Sequence, residues 1–149
     1  MSLRQRIVEM QKEAMINRNE EKLSSLRFLW SQIRNIEIDK KAEMNDEEIQ
    51  TVVARLVKQQ QDALKDFVNA GRIDLQTKTE TEIKFLQTFL PEQISDADLE
   101  SVTTAVIEKI IATGPADVGR VMGAVMKEVK GRADGNRVRE VVSRIIAKT

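Results

Sequence analysis

Apolar residues recur along this chain every three or four positions, and short polar stretches interrupt the recurrence. Leu3, Ile7, Met10 and Ala14 share one helical face. Ser2 and Gln5 precede them as a capping box, in which the Ser oxygen accepts an orphan N–H and the Gln side chain reaches back. The spacing predicts a helix to about residue 17, followed by a turn from Asn17 to Asn19. Leu23, Leu26, Leu29, Trp30, Ile33 and Ile36 make the stripe of a second helix that ends near Lys41. The third helix has the clearest start: Asn45 as N-cap, Glu48 at N3, and Met44 with Ile49 as a hydrophobic staple. Ile49, Val52, Val53, Leu56, Ala63, Leu64 and Phe67 continue it, and Gly71 takes the C′ role at its end. The threonines of 74–82 alternate, which is closer to a strand or turn pattern. Ile83, Leu86, Phe89 and Leu90 restore the helical period, so a fourth helix is expected over 74–89.

Pro91 is the sharpest boundary, because the residue before a proline is disfavoured from the helical region. Ile94, Ser95, Asp98 and Leu99 then repeat the start signal: Ser95 caps, Asp98 sits at N3, and Ile94 staples to Leu99. Leu99, Val102, Val106 and Ile110 make a fifth helix that stops by Gly114-Pro115. A sixth is expected over 117–130. Asp134 caps a seventh, which carries Val138, Val141, Val142, Ile145 and Ile146 on one face. The pattern therefore predicts an all-α protein of seven helices. Four form a helical N-terminal domain, 1–91, and three form a small C-terminal domain, 92–149.

Composition narrows the chemistry. The 149 residues include no Cys and no His, which removes the thiolate nucleophile, the commonest general base and the commonest metal ligands. No metal and no cofactor is expected. A cysteine-free chain fits a reducing cytoplasm, and a cytoplasmic location is expected. No stretch approaches the roughly 18 apolar residues of a membrane span. The N-terminus lacks the apolar segment of a secretory leader, so none is expected. Most carboxylates lie in mixed-charge helical surfaces such as Glu20-Glu21 and Asp46-Glu47-Glu48, where solvated faces and first-turn dipole partners are the ordinary roles. Trp30 lies beside the stripe of the second helix and Met122 within that of the sixth, so both are expected in the core. Met126 falls at the stripe's edge.

Charge changes the picture more. Lys+Arg and Asp+Glu balance at 24 each, and 1–90 carries fifteen of either sign, but 91–118 is net −5 and 119–149 is net +5. Within the basic block, a wheel of about 100° per residue gathers Val118, Val121, Met122, Val125 and Val129 on the core side of the sixth helix. Gly119, Arg120, Gly123, Lys127 and Lys130 fall together outside it. A glycine inside a helix costs about 0.5–1 kcal/mol relative to alanine, and here two stand four residues apart. Two explanations fit: close approach of another helix, or approach of a phosphate-rich partner to bare backbone flanked by cations. The following loop adds Lys130 and Arg132 at a helix end, where cations suit the dipole, and Gly131, expected in the left-handed C′ conformation. Arg137 and Arg139 sit in the first turns of the seventh helix, where cations oppose the dipole; an anionic partner or a merely solvated basic surface accounts for them. The candidate nucleic-acid-binding residues are thus Gly119, Arg120, Gly123, Lys127, Lys130, Arg132, Arg137 and Arg139.

Four stretches carry a resemblance that spans nearly the whole chain: SLRFLWSQIRNIEID (25–39), AGRIDL (70–75), EIKFLQTFLPEQIS (82–95) and DVGRVMGAVMKEVKGRADGNRV (117–138). The sequence resembles the YqeY family of small bacterial proteins. Its C-terminal part is similar to the tail domain of GatB, a subunit of the tRNA-dependent amidotransferase. The resemblance implies an all-helical, two-domain fold and a tail that contacts tRNA. It also implies that the amidotransferase chemistry belongs to domains a free-standing member lacks. A non-catalytic tRNA-binding adaptor follows, with tRNA and an aminoacyl-tRNA-handling enzyme as its implied partners. The alternative is a protein–protein module whose N-terminal helices dock on a larger enzyme, with QQQDALKDF (59–67) offering polar surface. A carbon–nitrogen ligase activity with glutamine as donor would be carried over only from the larger enzyme. Two positions depart from the family pattern: Phe89 stands where tyrosine is often found, and Thr79 stands where an acidic residue is.

Overall fold

The computed structural model describes residues 1–148; the expected end of the second domain, residue 149, lies outside them. All regular structure among these residues is helical: α1 (Leu3–Ile16), α2 (Glu20–Lys40), α3 (Asp46–Asn69), α4 (Ile73–Gln87), α5 (Asp96–Ile111), α6 (Val118–Val129) and α7 (Gly135–Lys148). The start signals act as expected. The side chains of Ser2, Asn45 and Ser95 accept the N–H of Gln5, Glu48 and Asp98 at 3.1, 2.9 and 3.2 Å, and Gln5 returns its oxygen to the Ser2 N–H. At the end of α3, Gly71 takes φ +69°. The Arg72 N–H reaches the Phe67 carbonyl and the Gly71 N–H reaches that of Val68, the paired bonds of a Schellman motif.

The alternating threonines do not prevent α4 from forming. The Thr77 and Thr81 hydroxyls donate back to the carbonyls of Ile73 and Thr77 at 3.0 Å each, and Thr79 turns inward and is buried. No side chain caps the start of α4. Its long contact with α3 supplies what local propensity does not. Before Pro91 the chain tightens into i→i−3 bonds from Phe89 to Leu86 and from Leu90 to Gln87.

Packing divides the chain into two compact units, Met1–Leu90 and Pro91 onward. In the first, α1 pairs with α2, α3 pairs with α4, and both α1 and α2 touch α3. Ile7, Leu26, Leu29, Ile33, Ile49 and Val53 fill the centre of its core. Phe89 is buried there too and packs edge-on against Phe85, with ring centroids 5.4 Å apart, so this position needs no hydroxyl. Trp30 is half-buried against the same core, and the Arg4 guanidinium lies 5.0 Å from its ring centroid. In the second unit α5, α6 and α7 each touch the other two around Leu99, Val121, Val125, Val129, Val138 and Val142.

One acidic side chain belongs to the inward face of α2. Glu37 follows Leu26, Leu29 and Ile33 in helical phase and is buried. Arg4 donates to both of its oxygens, at 2.8 and 3.2 Å. Arg34 donates at 2.9 Å and the Met44 N–H at 2.9 Å. These donors, the Arg4 fork first, outweigh the desolvation and hold the carboxyl at about 2 instead of 4.5. A carboxylate so stabilised contributes on the order of 3 kcal/mol at neutral pH. Because its folded value is depressed, that contribution is complete above about pH 4.5 and is lost as pH falls toward 2.

Replacing Glu37 with leucine should therefore lower stability at pH 7 by about 2–4 kcal/mol, since it strands the Met44 N–H and leaves Arg4 with only its longer ion pair to the exposed Glu43, at 3.7 Å. Guanidinium denaturation at several pH values checks this. The gap between the wild type and Glu37→Leu should narrow steadily below pH 4.5; a gap independent of pH would contradict the assignment.

Candidate nucleic-acid interface

α6 begins at Asp117, whose carboxylate accepts the Gly119 N–H at 2.8 Å. Val121, Val125 and Val129 recur at four-residue spacing and are fully buried, which fixes how the helix is rotated. The opposite side carries Gly119, Arg120, Gly123 and Lys127, all exposed. Met122 is half-buried against the core, while Met126 and Val118 are 36% and 41% exposed. A Cβ added to Gly123 would meet nothing within 4 Å, and one on Gly119 would meet only the capping oxygen of Asp117, at 3.2 Å. The neighbouring helices α5 and α7 therefore do not close on the glycines. Close packing within the unit does not explain them; the face is open, bare backbone.

At the end of α6, Lys130 takes the left-handed conformation (φ 44°, ψ 53°) and Gly131 follows at φ +83°. The expectation for Gly131 holds, and Lys130 joins it. The chain then turns back. The Arg132 N–H and its side-chain Nε both donate to the Val129 carbonyl, at 2.9 and 3.2 Å, and the Arg132 carbonyl accepts from the Ile94 N–H at 2.8 Å. Ala133 is buried under the turn. Asp134 caps α7 by accepting the Arg137 N–H at 2.8 Å.

The eight candidate residues separate by what their side chains do. The Arg137 guanidinium is committed inside the unit: one Nη2 donates to the Ile94 carbonyl at 2.9 Å and to the Asp96 carboxylate at 2.7 Å. Its position against the helix dipole thus has an internal cause, because the anion it meets is Asp96 at the start of α5. Arg144 on α7 likewise reaches Glu100 on α5, at 3.6 Å. These two clamps were missed in the sequence. Their one signal is the coincidence of an acidic α5 start with arginines along α7. Arg120, Lys127, Lys130 and Arg139 are exposed and form no ion pair among the described residues, and Arg132 spends one N–H of five on Val129. Asp96 and Glu100 are thus neutralised from α7, while the cations on the outer side of α6 and its turn have no acidic partner among the described residues.

Neither of two other concave places competes with this surface. One, between the starts of α1 and α3, is lined by Ser2, Arg4 and residues 43–47; Ser2 and Asn45 are caps, Arg4 is held by Glu37 and Glu43, and Asp46 accepts the Leu3 N–H. The other, between α2 and α3, is lined mainly by Ile36, Met44, Val52 and Arg55. Among the described residues no group of acidic side chains is arranged to hold a metal ion, and no helix is long and apolar enough to cross a membrane.

A family model for YqeY-like proteins matches residues 4–146. The chain belongs to the YqeY-like family. Its relatives include fungal proteins named Altered inheritance of mitochondria protein 41, mitochondrial. The one from Pyrenophora tritici-repentis is 25% identical over 138 residues, covering 91% of this chain and 76% of the relative. The one from Vanderwaltozyma polyspora is 32% identical over 127 residues, covering 84% of this chain but 65% of its own length. A protein of Schizosaccharomyces pombe is 30% identical over 84 residues, 56% of this chain. For this YqeY-like protein the family match takes in the glycine face of α6 and the turn that follows it.

Substitutions separate the surface from its scaffold. Gly123→Ala should stabilise the second unit by about 0.5–1 kcal/mol, because the new methyl enters open space on a helix. Gly119→Ala should gain less, since it presses on the Asp117 cap. Arg137→Ala should cost about 1–3 kcal/mol, whereas Arg139→Ala should stay within about 0.5 kcal/mol. Native-state hydrogen exchange of the α5–α7 amides reads all four.

Proposed function

We propose that this YqeY-like protein is a non-catalytic adaptor whose C-terminal unit binds the sugar–phosphate backbone of structured RNA, tRNA first. The observation that carries the proposal is the open face of α6, where Gly119 and Gly123 expose backbone beside Arg120, Lys127 and Lys130, cations that form no ion pair among the described residues. Phosphate contacts come largely from Lys and Arg, the missing Cβ atoms let a partner's backbone approach the helix closely, and RNA helices are recognised largely by shape and backbone. The surface offers no aromatic platform for stacking bases, in keeping with that mode. Similarity of the 117–138 segment to the tRNA-contacting tail of GatB supports the same partner. An enzyme that handles aminoacyl-tRNA is the protein partner the adaptor role implies. A cysteine-free chain suits a reducing compartment, and the cytoplasm is the location proposed.

Catalysis is not part of the proposal. Amide transfer from glutamine requires an activated nucleophile beside an oxyanion site. The chain has neither Cys nor His, and the hydroxyls of Thr77, Thr81, Thr103 and Thr104 donate to helical carbonyls.

The test is binding of total tRNA across a salt series. Affinity should fall linearly with salt on logarithmic axes, with a slope of roughly −0.7 to −0.9 per phosphate neutralised. The triple change Lys127→Glu, Lys130→Glu, Arg132→Glu should flatten the slope and weaken binding by at least about tenfold. Gly123→Leu, which blocks the bare backbone without touching the core, should weaken binding as well. Absence of tRNA binding by the folded wild type at low salt would end the proposal.

A further inference from the structure

The side of α2 that faces away from its core has its own periodicity. Leu26, Leu29, Ile33 and Glu37 point inward and are buried. Diametrically opposite, at about 100° per residue, lie Ser24, Phe28, Ser31, Asn35 and Ile38, all exposed. Their spacing is four, three, four, three, that of a coiled-coil seam. Phe28 is 54% exposed and Ile38 63%, and the serines between and beside them leave room for another backbone. In a chain that is 32% charged, none of these five is charged, which sets the stripe apart from an ordinary solvated helix face.

One edge of the stripe is cationic. Arg27 and Arg34 lie seven residues apart within α2, so they flank the seam on one side, and Lys41, the residue after α2, adds a third exposed cation at that end. Arg27 and Lys41 have no ion pair among the described residues. Arg34 gives one N–H to Glu37 and keeps the rest. Lys41 sits at φ 57°, a left-handed position that glycine takes without strain; a lysine stands there instead and brings a further cation to the end of α2.

We infer that this face docks an amphipathic helix of a partner protein, whose apolar seam covers Phe28 and Ile38 and whose acidic edge meets Arg27, Arg34 and Lys41. A second copy of α2 answers these cations poorly. Placed antiparallel with Phe28 on Ile38, it sets Arg34 against Arg34 and Arg27 against Lys41. Placed parallel and in register, it brings Asp39 to Arg34 but only Gln32 to Arg27. An acidic helix answers all three cations, and complementary charge also speeds encounter and fixes orientation. The surface is separate from the one proposed for RNA and does not depend on it.

The probe is a synthetic 21-residue amphipathic peptide, the length of α2. It carries leucine and alanine along its seam and glutamate on the edge that meets these cations; a matched peptide carries lysine at those edge positions. Fluorescence anisotropy with the full chain should show the glutamate peptide bound and the lysine peptide not. Phe28→Ser should weaken the glutamate peptide by about tenfold, and Arg27→Glu combined with Lys41→Glu should reverse the preference by a similar factor. All three positions are exposed, and circular dichroism confirms that each variant remains folded. Failure of the wild type to bind the glutamate peptide would overturn the inference, as would equal binding of both peptides. So would sedimentation equilibrium showing a dimer that Phe28→Ser abolishes, because the occupant would then be a second copy.

Discussion

Glu37 draws donors from three separate stretches of the first unit: Arg4 at the start of α1, Arg34 one turn earlier on α2, and the Met44 amide in the turn before α3. Burial of a lone carboxylate would be prohibitive. This one is satisfied on both oxygens, and its satisfaction dictates geometry. The fork of Arg4 sets how α1 lies on α2, and the amide of Met44 sets where the chain leaves α2. The Leu3 N–H adds a bond to Asp46 at 2.9 Å, which ties the start of α1 to the start of α3. An apolar side chain at 37 could fill the volume, but it would not choose among rotations of α1 or α3. That choice fixes which side of α2 faces out, and with it the uncharged stripe and its cationic edge.

The second unit solves a different electrostatic problem. Its acids outnumber its bases before α6, and its bases outnumber its acids from α6 onward, so the fold decides how much of the separation survives as surface field. Arg137 and Arg144 neutralise Asp96 and Glu100 and in doing so bind α7 to α5. α6 has the cations but no acidic neighbour paired to them among the described residues. Internal pairing therefore concentrates what remains of the positive charge around the glycine face, on the same helix whose valines anchor it in the core. A rigid helix with a buried stripe and an open cationic back is suited to presenting charge at fixed spacing, which a flexible basic tail is not.

Helices were legible in the sequence wherever a side chain carried the signal locally. Ser2, Asn45, Ser95 and Asp134 each cap from a position that the pattern of polar and apolar residues already marks. The end of α3 was equally plain, because Gly71 does what only a residue free of Cβ strain does easily. What could not be read was any contact between residues distant in the chain. Nothing local distinguishes Glu37 from the other carboxylates of α2 except its phase with Leu26, Leu29 and Ile33, a buried position whose partners lie on other elements. Arg137 looked like a candidate for an external anion for the same reason: its carboxylate is 41 residues away. The glycines of α6 were correctly placed outside the core stripe. Whether another helix covered them depended on the packing of α5 and α7, which no single helical period records.

Among the described residues, three other than glycine adopt the left-handed conformation, and all three are cations at helix ends: Arg18 after α1, Lys41 after α2 and Lys130 after α6. A side chain at such a position carries strain that glycine avoids, yet a positive charge there is favoured by the helix dipole. The two effects are of similar size, about 1 kcal/mol each, so the dipole alone explains why these cations are tolerated. It does not explain their different company. Arg18 stands in a polar turn between Asn17 and Asn19. Lys41 follows the exposed Arg27 and Arg34 of α2, and Lys130 follows the exposed Arg120 and Lys127 of α6. Each thus ends a helix whose exposed cations border a face that the fold leaves uncovered.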